Sequence, residues 1–388
     1  MNTVVIGGSW GDEGKGRIID YIAPHFKYVV RASSGCNAGH TIIVNGQKFV
    51  TRLVPSAVLY NDIKCVLGQG MVIDPEVLTE EIIKYDLSKD RLFVSENAHI
   101  VLPWHKYIDE VRESGKEQLG TTKKGIGPVH EEKARRTGIR MCDIKNLSLH
   151  ELSDKLSKSY FSWNCLTHAE NISDIAKNLL SLSEICNITD TSEILNNTNE
   201  PILFEGAQGT MLDINNGTYP HVTSSVTTIG GIIAGAGVSH KKIHKVIGCV
   251  KAYTTRVGDG VFNTEIYGEL ADKIREAGGE YGSVTKRPRR VGWFDIEQVS
   301  KAIVLNGVDE IAMSKLDVLS ALDEIKVRVD NNQMIVFKGW KSDISSAKKF
   351  EELPAGAAEF VKTIESYLEV PITLISVGPE RNSLIDLR

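Results

Sequence analysis

Cysteine is scarce and scattered in this chain. Six occur in 388 residues, at Cys36, Cys65, Cys142, Cys165, Cys186 and Cys249, and no two form a Cys-x-x-Cys pair. That spacing offers neither a zinc knuckle nor a disulfide framework, so reduced thiols in a cytoplasmic protein are expected. Long apolar runs are absent too: no stretch approaches the ~18 residues that a membrane span requires. Charge of one sign is not concentrated either. With 45 Lys+Arg against 50 Asp+Glu the formal net charge is −5. A mildly acidic chain without a basic block is not expected to take nucleic acid or an anionic membrane as its main partner, which leaves only a local basic patch. The first residues, MNTVVIGGSWGDEGKG, run directly into strand and loop without a charged leader. Internal repeats, low-complexity tracts and linkers are also missing, so the chain is read as one unit spanning residues 1–388.

Glycine is the residue in excess, 34 of 388, which is about 9% against an average near 7%. The glycines cluster beside Asp, Lys, Thr and His, the pattern of backbone shaped around a ligand. The runs between them set the expected elements. Thr3–Ile6 is a β-branched strand, Gly7–Gly16 a loop, and Arg17–Ala23 a helix ending at Pro24. Strand, glycine loop and helix in that order open an α/β phosphate-binding unit. Further strands are expected at Lys27–Arg31, Cys65–Leu67, Pro201–Phe204, Lys245–Tyr253, Ile311–Lys315 and Ile372–Val377, with helices at Pro75–Tyr85 and Ala357–Leu368. Thr41–Val44 and Lys48–Leu53, joined through Asn45-Gly46-Gln47, read as a small hairpin. Residues Leu147–Glu200 are rich in Ser, Asn and Lys with helical spacing, and are expected to be a peripheral helical insertion. The fold class is therefore α/β: a P-loop-type domain with a central, mostly parallel sheet, helical insertions and a small β-hairpin.

Six clusters carry the chemistry. In Gly8-Ser-Trp-Gly-Asp-Glu-Gly-Lys-Gly16, loop N–H groups at a helix N-terminus can cradle phosphate, and Lys15 adds a point charge. It departs from the usual phosphate loop, because Ser9 holds the first position and Gly16 replaces the Ser/Thr that would bind Mg²⁺. Asp12 and Glu13 are the nearby oxygens that could take over. In Gly35-Cys-Asn-Ala-Gly-His-Thr41, His40 can act as a general acid or phosphate ligand, and Asn37 can read a base edge. Gly120-Thr-Thr-Lys-Lys-Gly-Ile-Gly-Pro128, with Arg135 and Arg136 beyond, suits a second phosphate. Phe204-Glu-Gly-Ala-Gln-Gly-Thr210 offers Gln208, donor and acceptor together, as a purine edge requires. Tyr281–Arg290 holds four cations in five residues, and its Arg forks suit a dicarboxylate. Ser314-Lys-Leu-Asp317 follows a strand in the manner of a guanine-reading Lys-x-Asp element.

Together and in this order, the clusters resemble the adenylosuccinate synthetase family from Val4 to about Arg381. The resemblance is carried by WGDEGKG at Trp10–Gly16, NAGHT at Asn37–Thr41, GTT…GIGP at Gly120–Pro128 and FEGAQGT at Phe204–Thr210. GTYP…VTSS at Gly217–Ser225, TRVG at Thr255–Gly258, RPRRVGWFD at Arg287–Asp295, KLDVL at Lys315–Leu319 and SVGPER at Ser376–Arg381 complete it. It implies a GTP-dependent ligase joining L-aspartate to C6 of IMP through a 6-phosphoryl intermediate. By the same likeness Asp12 is the general base, with His40 and Lys15 on the transferring phosphoryl group and Mg²⁺ held by Asp12 and the Gly39 carbonyl. GTP would be met by Gly14, Lys15, Gly16, Gly39, Thr41, Lys315, Asp317, Ser376, Gly378 and Pro379. IMP would be met by Asp12, Asn37, Thr122, Gln208 and Thr223, with Arg136 reaching it from the other subunit of a homodimer. Thr285, Arg287 and Arg289 would hold the aspartate.

Departures from the family pattern are local. Ser34 stands where Gly is usual, Lys123-Lys124 replaces Gly-Arg, Val284 replaces a Thr, Lys286 replaces a Gly, and the chain is shorter than the common form. Divergent phage members of the family act on deoxyguanylate, so the same chemistry on dGMP is an alternative expectation. A nucleotide-binding homologue without catalysis is a second.

Overall fold

The computed structural model describes residues 1–115, 118–164, 171–282, 288–330 and 333–388. Among the described residues eleven strands join one sheet. In chain order they are β1 (Thr3–Gly7), β2 (Tyr28–Ser34), β3 (Lys64–Ile73), β4 (Leu92–Ser95), β5 (His99–Ile100) and β6 (Asn187–Thr189). β7 (Ile202–Glu205), β8 (Lys245–Lys251), β9 (Glu310–Ser314), β10 (Ile372–Ser376) and β11 (Leu384–Asp386) follow. Their order across the sheet is β11-β10-β9-β8-β1-β7-β2-β3-β4-β6, and β5 pairs with the far end of β3. Every pairing is parallel except that of β10 with β11. The expected mostly parallel sheet is the one observed.

β1 lies at the centre, between β8 and β7, and all five of its residues are buried. A strand covered on both faces must be apolar throughout, which is why Thr3-Val-Val-Ile-Gly7 shows no alternation. Its side chains nonetheless divide by the two-residue period. Val4 and Ile6 enter one core with Val30, Phe204 and Val250, while Val5 enters another with Ile18, Ile19 and Ile22. Those three isoleucines sit on the helix Lys15–Ile22, so the loop between β1 and this helix is anchored at both ends. The helix starts two residues before the expected Arg17, because Gly14 adopts φ 82° and turns the chain into it. Pro24 does not stop it sharply; it lies within a following 3₁₀ turn, Ala23–His25.

The hairpin is present, as His40–Val44 paired with Gln47–Thr51 around Asn45 (φ 52°) and Gly46 (φ 75°). The segment expected to be a helical insertion contains the helices Leu149–Ser162, Ile172–Ile185 and Thr191–Asn197. It also supplies β6, which pairs in parallel with β4 at the sheet edge. Three residues are too short to show a strand period, so only the burial of Ile188 marks them. Four of the six chemical clusters follow the C-terminal end of a sheet strand, β1, β2, β7 or β9, while Gly120–Pro128 and Tyr281–Arg290 follow the helices Pro103–Glu113 and Gly268–Gly278. Open parallel sheets bind ligands along that crest.

Candidate active site

Glu13, not Lys15, organises the loop after β1. Its carboxylate is buried and accepts from the backbone N–H groups of Ser9 and Gly11, both at 2.9 Å, through Oε1. Oε2 takes the Lys15 ammonium at 2.6 Å. A Cβ at Gly209 would lie 2.2 Å from the Ser9 carbonyl oxygen and 2.5 Å from Glu13 Oε1, so only glycine lets the next loop close over this one. Glu13 is therefore spent on the loop itself and is not free as the metal oxygen its position suggested. Asp12 is not spent on the loop: it stands at φ 61° with an exposed carboxylate, where Oδ2 pairs with Arg289 Nη2 at 2.9 Å. One expected aspartate-binding residue thus touches the expected base. Thr285 and Arg287 lie outside the described residues, as do Val284 and Lys286.

His40 begins the hairpin and is buried. Its Nδ1 bonds Glu205 at the end of β7. The same carboxylate accepts from Ser56 Oγ at 2.7 Å and from the Ser56 N–H at 2.8 Å, and Arg31 Nη1 lies 3.8 Å away. Arg31 and Glu205 are fully buried, and none of the three Arg31 side-chain nitrogens has a hydrogen-bond partner among the described residues. Burial pulls the His40 imidazole below its ordinary pKa although Glu205 works against that. Burial pushes Glu205 up, but His40, Arg31 and Ser56 outweigh it and hold the carboxylate below its usual range. A Cβ on Gly16 would lie 2.7 Å from His40 Cβ, so the phosphate-loop helix and the imidazole are in direct apposition.

The purine-reading candidates meet at the ends of β2 and β7. Gln208 Nε2 donates to Ser34 Oγ at 2.6 Å and to Asn37 Oδ1 at 3.2 Å. Ser224, the residue after Thr223, approaches the Gly120–Pro128 cluster, since a Cβ at Gly127 would lie 3.4 Å from its Oγ. Thr122 and Arg136 are exposed, and among the described residues neither side chain bonds another candidate. Gly39 and Thr41 are likewise exposed.

On the other flank a buried carboxylate gathers three cations. Glu280 Oε1 accepts from Lys251 at 2.8 Å, Lys315 at 2.7 Å and Tyr253 at 2.6 Å, while Oε2 takes Arg289 at 2.8 Å. Burial raises the Glu280 pKa, yet Lys251, Lys315 and Arg289 together hold it far below the carboxylate range. Burial also pulls Lys251 down to about 8. Lys315 is in this way tied to the pocket floor, whereas Asp317 Oδ1 has no partner among the described residues and burial raises its pKa. Arg17 braces the neighbouring loop, bonding Ser376 Oγ and the carbonyls of Gly378 and Ser383, beside exposed Pro379.

Sequence reasoning did not single out Glu205, Arg31, Glu280 or Arg17. Arg31 and Glu205 are each the one charge in an otherwise uncharged strand, a sequence signal that could have found them, whereas Glu280, after a charged helix, and Arg17, in a helix with Lys15 and Asp20, carry no such signal. Among the described residues no group of three His, Cys, Asp or Glu side chains could hold a metal by itself.

The adenylosuccinate synthetase family model matches residues 4–334 and 330–385. The chain belongs to this family of carbon–nitrogen ligases. An adenylosuccinate synthetase of Fusobacterium nucleatum is 42% identical over 423 aligned positions, covering 99% of each chain. That of Caldicellulosiruptor bescii is 43% identical and covers 98% of each. An alignment of 423 positions against 388 residues contains gaps in this chain, in keeping with a shorter family member. The fully ligated adenylosuccinate synthetase of Plasmodium falciparum superimposes with a TM-score of 0.94 at 39% identity, covering all of both chains. The succinoaminodeoxyadenylate synthetase of cyanophage S-2L, bound to dGMP and dATP, gives a TM-score of 0.69 at 22% identity, which is a likeness of fold alone. The family's acceptor chemistry is thus favoured over the phage alternative.

Proposed function

We propose that this chain condenses L-aspartate with IMP at the expense of GTP, yielding adenylosuccinate, GDP and phosphate. The contact that carries the reading is Asp12 Oδ2 to Arg289 Nη2 at 2.9 Å, at the mouth of a glycine loop that also holds Lys15. It joins a carboxylate able to take a proton to a guanidinium able to hold a carboxylate, beside a phosphate cradle.

In this reading Asp12 accepts the N1 proton of IMP, leaving O6 as the nucleophile. O6 bonds the γ-phosphorus of GTP and the bond to the β-phosphate oxygen breaks, releasing GDP. The neutral aspartate amine then attacks C6, the O6–C6 bond breaks, and the departing phosphate takes the proton that the amine gives up. His40, held through Nδ1 by Glu205, offers Nε2 to the phosphoryl oxygens. Lys15 leaves Glu13 for the phosphates, and Gly14, Gly16 and Thr41 line their path. Asp12 and the Gly39 carbonyl would hold Mg²⁺, which neutralises phosphate charge when bound. Lys315 and Asp317 read guanine, with Ser376, Gly378 and Pro379 packed beside it. Asn37, Gln208, Thr122 and Thr223 take IMP, and Thr285, Arg287 and Arg289 take aspartate.

Arg136 completes the nucleotide-phosphate site from the second subunit of a homodimer. A verified monomer binding IMP with full affinity would refute that sharing. A cytoplasmic enzyme without nucleic-acid or membrane partners is part of the reading, and no described helix is long and apolar enough to cross a membrane. The deciding assay supplies GTP, Mg²⁺ and aspartate with IMP or dGMP and follows products by mass. Adenylosuccinate from IMP is expected; product from dGMP alone, or none from either, overturns the assignment.

A further inference from the structure

We infer that Arg17 is a positioning residue that sets the preference for guanine over adenine in the phosphoryl donor, by fixing the loop after β10 and placing a cation near Asp317. The inference rests on the reading above, in which that loop and Asp317 receive guanine. Arg17 lies two residues beyond Lys15 on the helix Lys15–Ile22 and is buried. Its hydrogen bonds go to the connection between β10 and β11. Nη1 donates to Ser376 Oγ and to the Gly378 carbonyl, and Nη2 donates to the Ser383 carbonyl. Almost one turn further along the helix, the Asp20 carboxylate takes Arg381 Nε and Nη2 at 2.5 and 2.7 Å. The hairpin holds the same loop from another side. Arg381 N–H donates to the Ile43 carbonyl, and Gly46 N–H to Glu380 Oε1, both at 2.9 Å. Asp20 and the hairpin thus secure residues 380 and 381. Of these holds, only that of Arg17 reaches Ser376 and Gly378, which the reading packs beside the base.

Arg17 and Asp317 also act on each other through their charges. Burial raises the Asp317 pKa, and a backbone hydrogen bond, then Arg17, then Lys315 work against that. Burial pulls Arg17 down to about 10, and Asp317 is the foremost of the carboxylates opposing it. Asp317 Oδ1 is buried and has no partner among the described residues, so a ligand donor is what it lacks. An ionised carboxylate only accepts hydrogen bonds. Guanine offers it the N1–H and the 2-amino group, whereas adenine has a bare N1 and no 2-amino group. Without the guanidinium the loop loses its inner anchor and Asp317 loses a cation that favours its accepting form. Both losses fall on the base and neither falls on the phosphates.

The test measures GDP and ADP dissociation constants by calorimetry for the parent, Arg17→Met and Arg17→Lys, with melting temperature alongside. Arg17→Met should bind GDP about tenfold more weakly, as for a lost charge-assisted hydrogen bond, and ADP within twofold of the parent. Arg17→Lys keeps the charge and a donor for the loop oxygens, so it should recover most of the GDP affinity. GDP and ADP carry the same phosphates. A residue that served only the phosphate loop, or only the fold, would weaken both nucleotides alike, and that result overturns the inference. GDP binding by Arg17→Met within twofold of the parent overturns it too. If Arg17→Met does not fold, Arg17→Gln, which keeps an amide donor without the charge, is read against the same outcomes. A parent that binds GDP no better than ADP refutes the guanine reading itself and takes this inference with it.

Discussion

The two flanks of the site are built on opposite plans. On the His40 flank the working imidazole is buried, and so is everything that holds it: Glu205, Ser56 and Arg31. On the Asp12 flank the buried part is the hub, Glu280 with Lys251, and the working groups lie further out. The Asp12 carboxylate is 34% exposed against 8% for the His40 side chain. A buried carboxylate with two Ser56 donors and an imidazole leaves no alternative geometry, so this flank is rigid before any ligand arrives. A partly exposed carboxylate paired to one guanidinium can exchange that partner for a ligand, since solvent already competes for its oxygens. In the proposed function, phosphoryl transfer would gain from fixed donors and the capture of a second substrate from movable ones, and the two flanks would divide those tasks.

The contrast breaks most visibly at Asp12. Asp12→Asn should lower turnover by about 10²–10⁴, the range for a lost general base, while the melting temperature hardly moves because the group is on the rim. Activity within about tenfold of the parent would remove the base assignment. Glu205→Gln should do the reverse, costing stability as well as rate. It leaves the Arg31 guanidinium buried without its carboxylate, a loss of about 3–5 kcal/mol measurable by urea unfolding. If Glu205→Gln unfolds at the parent's midpoint, the rigid flank is not held by that carboxylate.

Much of this architecture is legible from residues alone. Thr3–Gly7 followed by Gly8–Gly16 announces strand, cradle and helix, because apolar runs bounded by glycine permit few other readings. The hairpin at Asn45-Gly46 and the strand Ile372–Ser376 are as plain. What stays hidden is partnership across the sheet. Glu205 lies 165 residues from His40, and Glu280 lies 35 residues from Lys315 and 29 from Lys251. No local period encodes such pairs; the order of the strands does. Glu13 misled for the opposite reason: its neighbour Asp12 has the same charge and nearly the same position. Only the turn at Asp12 sends one carboxylate inward and the other out.

The smallest effect distinguishes buried carboxylates that serve the site from one that serves only the scaffold. Glu132, fully buried, bonds Ser159 at 2.6 Å and Trp163 at 2.7 Å and pairs with His105 at 3.3 Å. Burial pushes its pKa up, but His105 and those donors prevail and bring it to about 2, from an ordinary 4.5. A carboxyl held below its unfolded value binds fewer protons in the folded state, so its stabilisation is complete above pH 4.5 and fades as pH falls toward 2. Parent and Glu132→Gln should therefore differ in unfolding free energy at pH 7, and the gap should narrow steadily between pH 4.5 and pH 2. Glu280→Gln should show a narrowing gap over the same acid side, since that carboxylate is also held low. It should in addition raise the KM values for GTP and aspartate at neutral pH, by about tenfold if each loses one charge-assisted bond, because Lys315 and Arg289 lose their common anchor. Glu132→Gln should leave both KM values alone. A shift in either KM for Glu132→Gln would mean that the helical region reaches the site, and the separation of scaffold from site would have to be redrawn.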